Sequence, residues 1–334
     1  MTATLLLGGF MLAAAVAYVL TGGADYGGGV WDLFARGPRK RAQRELVEQA
    51  IAPIWETNHV WLIALVVLLF SGFPRAFAAV STALHIPLTL LLIGIVARGA
   101  AFTFRAYDAR EDRVQERWGR VFSISSAVTP VLLGVVVGSL STGGIVLADG
   151  IVTSGFFAPW ATSPFPWAVG VLTLALFAYL AAVYLTVEAD DEALRGDFRF
   201  RALAAAIVAA IAAAATLVIA SFSAPALFAA LTGAPWAAVL FALTTASAVV
   251  AAIALVKRRY RLARIAAAAQ IALVVLGWGA AQYPYLLADE LTLEGAAAPP
   301  NVQVAILIVF TAGGIPLALA LRYLFRVFKT DRRL

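Results

Sequence analysis

Apolar residues run along this chain in stretches long enough to cross a bilayer, and the breaks between them are short, polar and mostly basic. A spanning helix needs about 20 apolar residues, range about 17–25. Nine stretches qualify: 4–20, 55–73, 83–103, 121–140, 165–185, 202–222, 236–256, 265–287 and 302–323. The second has the shortest wholly apolar part, and it spans only if Glu56, Asn58 and His59 enter the membrane or its edge. The pattern predicts an all-α integral membrane protein, a single polytopic domain over residues 1–334. Nine spans would suit two four-helix bundles plus one peripheral helix, although no sequence repeat is strong enough to argue from.

The breaks set the orientation. Arg36, Arg39, Lys40, Arg41 and Arg44 follow the first span, and Arg105, Arg110, Arg113, Arg117 and Arg120 the third. Arg195, Arg199 and Arg201 follow the fifth, Lys257, Arg258, Arg259, Arg261 and Arg264 the seventh, and Arg322, Arg326, Lys329, Arg332 and Arg333 close the ninth. With nine spans, every basic residue except Arg75 and Arg98 falls on one side. The opposite loops carry Asp149, Asp289, Glu290 and Glu294. The positive-inside rule makes the basic side cytoplasmic, with the N-terminus outside and the C-terminus inside. The net charge of +6 is then topological and needs no nucleic-acid partner, though the arginine clusters can meet anionic lipid head groups.

Composition agrees: 62% of residues are hydrophobic and 13% charged, against about 25% charged in soluble domains. The first apolar run lacks a basic leader, so no cleavable signal peptide is expected. The chain has no cysteine, which excludes disulfides, thiolate catalysis and Cys-ligated clusters. His59 and His85 are the only histidines, and Met1 and Met11 the only methionines, a poor supply of haem or metal ligands. The heavy use of alanine and arginine fits a prokaryotic source, and so a prokaryotic cell membrane.

The candidate chemistry sits at IAPIWETNHVWLI (51–63). Glu56 and His59, three apart, share a helix face; Asn58 lies beside them, and Trp55 and Trp61 bracket the group. An acid, an amide and an imidazole at the mouth of a membrane segment are functional candidates by default. The competing reading is an interfacial turn in which Glu56 caps the helix. The first span ends in TGGADYGGGVW (21–31), where five glycines flank or follow Asp25. Helix continuity there is expected to be weak, with Asp25 at the inner end of span one facing Glu56 at the inner start of span two. Close helix packing is the alternative use of those glycines. Residues 34–50 could form a short surface helix. His85 reads as a packing residue, and Arg98 as snorkelling to the inner face or pairing with an acid on a partner. Trp160 and Trp167 fit an interfacial aromatic belt, and the alanine-rich spans six to eight read as packing helices.

IAPIWETNHVWLI resembles subunit II of the cytochrome bd-type quinol oxidases, and the likeness continues along the chain. TGGADYGGGVW, LFSGFPRAFAAV (69–80), ARGAAFTFRAYD (97–108), ALRGDFRFRA (193–202), AQYPYLL (281–287), LTLEGAAAPPN (291–301) and RYLFRVFK (322–329) are similar to family signatures in register. The resemblance implies a subunit of a membrane complex that oxidises quinol and reduces oxygen to water. Haems b and d would be ligated by the partner, subunit I, and none by this chain. It also implies a part in proton uptake from the cytoplasm, for which Asp25, Glu56, Asn58 and His59 are the candidates. Trp55, Trp61 and Arg98 are the candidates for contact with partner or lipid. A small third subunit is left open. Two motifs depart from the family pattern: Trp55-Glu56-Thr57-Asn58-His59-Val60-Trp61 stands where Trp-Asp-Gly-Asn-Glu/Gln-Val-Trp is usual, and Gly22 replaces the first acid of the helix-one motif. These mark a divergent branch. A proton-coupled secondary transporter and a purely structural scaffold for a haem-bearing partner are the other function classes open to these residues.

Overall fold

A computed structural model describes residues 2–51, 55–107 and 112–330. Arg110, Arg332 and Arg333 of the basic breaks lie outside the described residues, as do 52–54 of the second-span motif and Asp108 of the third-span motif. The first helix, α1 (Thr2–Leu33), is uninterrupted and overturns the expected break after Leu20. Glycine costs about 1 kcal/mol against alanine inside a helix, but here the glycines stand where neighbours come closest. An added Cβ would meet the Phe177 ring at Gly23, the Phe177 carbonyl oxygen at Gly27 and the Ser126 side chain at Gly29. Packing of this kind outweighs propensity, and in a bilayer every backbone group must in any case stay bonded. Asp25 consequently lies inside the helix, eight residues from its end, or about 12 Å of rise.

The surface helix expected in 34–50 forms as α2 (Lys40–Ile51), burying Gln43, Val47 and Ile51 at spacings of four. Then come α3 (Trp55–Gly72), the short α4 (Pro74–Ala83), α5 (His85–Tyr107), α6 (Asp112–Ser139) and a hairpin of β1 (Val146–Ala148) with β2 (Ile151–Ser154). The chain next runs through α7 (Pro164–Glu188), α8 (Glu192–Ser223), the short α9 (Pro225–Gly233), α10 (Ala237–Val256) and α11 (Tyr260–Gln282). A second hairpin follows, β3 (Tyr285–Leu287) with β4 (Leu291–Thr292), and then α12 (Leu293–Ala296) and α13 (Pro300–Thr330).

This order is an internal repeat that sequence comparison does not disclose. In each half the second and third long helices are joined by a short one that starts on proline. The residues before those prolines share a backbone conformation, Phe73 at φ −134°, ψ 61° and Ala224 at φ −145°, ψ 61°. Proline bars its predecessor from the helical region, so each long helix must stop there and turn. Each half also ends in a hairpin with an aspartate at positive φ, Asp149 and Asp289.

Nine helices among the described residues are long and apolar enough to cross a membrane: α1, α3, α5, α6, α7, α8, α10, α11 and α13. Helices α1 and α7 pack on each other along the seam between halves. On one side α3 and α6 pack on α1, and α5 on α6; on the other α8 and α11 pack on α7, and α10 on α11. Helix α13 leans on α1 and α3, and none of its apolar window is buried. The second half is held by an alanine-rich core, including Ala202, Ala209, Ala251, Ala254 and Ala267.

Alternate breaks gather on two faces. Ion pairs Arg39–Asp197 (2.5 Å) and Arg258–Glu192 (2.9 Å) join three of the basic breaks. On the opposite face the Ala288 N–H donates to the Leu140 carbonyl (2.9 Å), and the Leu147 N–H to Glu290 (3.1 Å). With the basic face inside, a cysteine replacing Ala193 should react with an impermeant thiol reagent only after cells are opened. One replacing Ala148, in the first hairpin, should react in intact cells. The native chain has no cysteine, so the background is clean. The reverse pattern would invert the topology.

Candidate functional site

Asp25 and Asn58 are 5% and 2% exposed, and the Asn58 Nδ2 donates to the Asp25 carboxylate. Helix α1 carries Asp25 through a stretch whose glycines let α6 and α7 close in on it. The first turn of α3 brings Asn58, while Glu56, two residues earlier, is exposed. Residues two apart on a helix point to nearly opposite sides, since each step turns about 100°. Asn58, rather than the expected Glu56, therefore meets Asp25. The capping reading of Glu56 falls on the helix start at residues 52–54, which lie outside the described residues.

His59 stands behind this pair in an aromatic box. Its ring centroid lies 6.2 Å from that of Tyr18, 6.3 Å from Tyr26 and 6.3 Å from Trp55. Its Nδ1 is buried without a hydrogen-bond partner among the described residues. The Tyr18 and Tyr26 hydroxyls are 3.4 Å apart. Trp55 also packs on Phe102 (5.5 Å), and Trp61 is half-buried against the Tyr18–Tyr26–Phe177 cluster. Both tryptophans thus pack within the chain.

Arg98 corrects another expectation. It does not snorkel: it is 2% exposed, with its guanidinium carbon 4.6 Å over the Tyr26 ring and 5.2 Å from the Phe122 ring. Its Nε donates to the Ser126 Oγ (3.2 Å), while Nη2 is buried without a partner among the described residues. A guanidinium sandwiched between aromatic faces gains cation–π attraction that offsets desolvation. Buried this deeply, it cannot meet lipid. His85, at the start of α5, is exposed, and its Nδ1 lies 3.0 Å from the Thr82 carbonyl oxygen.

The sequence reading missed Tyr18, Tyr26 and Asp32. Asp32 is 1% exposed, accepts from the Ser123 Oγ (2.7 Å) and pairs with Arg44 at 3.7 Å. A signal was present: Tyr18, Asp25 and Asp32 recur every seven residues, which places them on one stripe of a continuous helix. Expecting the helix to end at Leu20 hid that spacing.

The family model for cytochrome bd terminal oxidase subunit II matches residues 3–328. The chain belongs to this family. The cytochrome bd-I ubiquinol oxidase subunit 2 of Escherichia coli (strain K12) is 28% identical over 200 residues, 59% of this chain and 50% of that protein. The chain thus aligns with about half the length of that relative. A Bacillus subtilis (strain 168) protein, provisionally named a cytochrome bd menaquinol oxidase subunit II, is 25% identical over 330 residues, 95% of this chain and 92% of its own. In fold, the bd oxidase of Geobacillus thermodenitrificans matches with a TM-score of 0.78 at 21% identity, covering 99% of this chain and 100% of that one. Family and helices together make this a multi-pass protein of the bacterial inner membrane.

Among the described residues, no group of three His, Cys, Asp or Glu side chains could hold a metal ion. The His59 ring is boxed in by Tyr18, Tyr26 and Trp55, and His85 is exposed at the far end of the spans.

Proposed function

We propose that this chain is the haem-poor subunit of a respiratory quinol oxidase complex, and that its buried Asp25–Asn58 pair lies on the route by which protons enter from the cytoplasm. The partner is subunit I, which would carry haems b and d; a small third subunit and bound lipids are compatible additions. When bound on the partner, the haems supply the electron-transfer and oxygen chemistry. Reduction of oxygen to water consumes a proton for every electron, so protons must cross the protein to reach that chemistry. A buried carboxyl held by a neutral amide donor can take up a proton and release it. That pair, on helices of a family whose named relatives are oxidase subunits, is the observation that carries the reading. Asn58 orients the carboxyl and stores no proton. His59 and the Tyr18–Tyr26 hydroxyls lie beyond it, and Glu56 stands exposed on the other side of α3.

Neither the family nor the relatives named above carries a transporter name, which weighs against the free-standing transporter. The scaffold reading is separated by experiment: purified complex should show haem absorption and quinol-driven oxygen consumption that site variants slow without loss of haem. Expressed without its partner, the chain should bind no stoichiometric haem. His59 near the basic face and His85 near the opposite one cannot share an iron across a span about 20–30 Å long. A haem spectrum from the isolated, purified chain would sink that expectation.

A further inference from the structure

A cavity of about 160 Å³ lies in the seam between the two halves, bounded by α1, the end of α2, the start of α3, α7 and the start of α11. Asp25 and Asn58 line it, as do Thr21, Tyr184, Glu188 and Arg264. Asp25 and Asn58 are deeply buried, whereas the Glu188 and Arg264 side chains are 17% and 39% exposed. These two form an ion pair at 3.5 Å, and the Arg264 guanidinium lies 4.7 Å over the Tyr184 ring. Glu188 ends α7 and Arg264 lies in the first turns of α11, both on the basic face. Glu56 is not among the lining residues.

We propose that this cavity is the water-accessible inlet to Asp25, with Glu188 and Arg264 as its mouth, so that protons reach Asp25 without passing through Glu56. The inference rests on the proton-uptake reading above and adds its entrance. Cavities that stay dry are apolar, and one that holds water needs polar partners and about 30 Å³ per molecule. This one has room for several waters and polar side chains at both ends. Glu188 is the group at the mouth that can collect a proton from the basic surface. Arg264 keeps it in position while leaning on Tyr184. The competing account is a packing gap at the seam, with the ion pair serving only to tie α7 to α11.

The two accounts differ in what reaches the cavity. In the assembled complex, a Thr21→Cys variant should be modified by a small impermeant methanethiosulfonate cation in inside-out membrane vesicles and spared in right-side-out ones. Modification should also slow quinol-driven oxygen consumption relative to the unreacted variant. Glu188→Gln should lower kcat by roughly 10²-fold, the size of a lost proton-transfer group, with KM for quinol and haem content unchanged, and Glu188→Asp should restore most of it. An unreactive cysteine overturns the inlet. So does modification that leaves turnover unaltered, and so does wild-type kcat in Glu188→Gln. If Glu188→Gln fails to assemble, the cysteine reaction decides alone. If wild-type vesicles lack quinol oxidase activity, the proposed function falls instead, and the cysteine pattern still reports whether the cavity is open to water.

Discussion

Asp25→Asn should leave the complex assembled, with normal haem content, and lower its turnover with quinol on the order of 10²-fold. The substitution keeps the shape of the side chain and an oxygen that can accept from the Asn58 amide, so packing between α1 and α3 has no reason to change. It removes only the ability to take up and release a proton at that point. Oxygen consumption by membranes, normalised to haem absorbance, checks it. Wild-type turnover would remove Asp25 from the route, and loss of the whole complex would favour a structural role. Glu56→Gln should have a much smaller effect in the same assay, because Glu56 is exposed and on the other side of α3 from the Asp25 contact. Equal loss from both substitutions would contradict that ranking.

Gly27→Ala should prevent assembly or sharply lower yield. The new methyl group would fall inside the Phe177 carbonyl oxygen and against the Ala181 side chain. Backbone atoms cannot rotate away as a side chain does, so α1 and α7 would have to separate along the seam that joins the halves. Overpacking costs typically about 1–3 kcal/mol, and more where nothing yields. Gly9→Ala, in the same helix, has nothing within reach of its added carbon and should be tolerated or mildly stabilising. Yield and thermal denaturation of the purified complex compare the two. Equal stability would show that the seam relaxes.

The long apolar runs made the spans legible, because bilayer thickness fixes their length. The family was legible as well, since the motifs lie in register along the chain. The site was legible only in part. Asp25 and Asn58 do meet, while His59 packs on Tyr18, Tyr26 and Trp55; Glu56 was paired with Asp25 by assuming that consecutive segment ends face each other, and helix rotation decides otherwise. The glycines after Leu20 read as a break because propensity is a local property, while Phe177 and Ser126, which make those glycines necessary, lie far off in sequence. Arg98 illustrates the same limit. Its apolar neighbours along the chain suggest a snorkelling cation, and the rings that enclose it come from α1 and α6. The internal repeat was illegible because its marks are two backbone turns and two hairpins, which many sequences satisfy.

The two faces of the molecule are tied by different forces. On the basic face the ties between breaks are partly exposed ion pairs, Arg39–Asp197, Arg258–Glu192 and Arg264–Glu188. On the opposite face they are mostly neutral hydrogen bonds, with Ser141 donating to Gln282 (2.7 Å), Trp278 donating to Ser141 (3.2 Å) and the backbone link from Ala288 to Leu140. Exposed charges are screened over about 3 Å at 1 M ionic strength, and neutral hydrogen bonds are not. Rising ionic strength therefore acts on this protein mainly from one side, loosening the end that holds Glu188 and Arg264 more than the hairpin end.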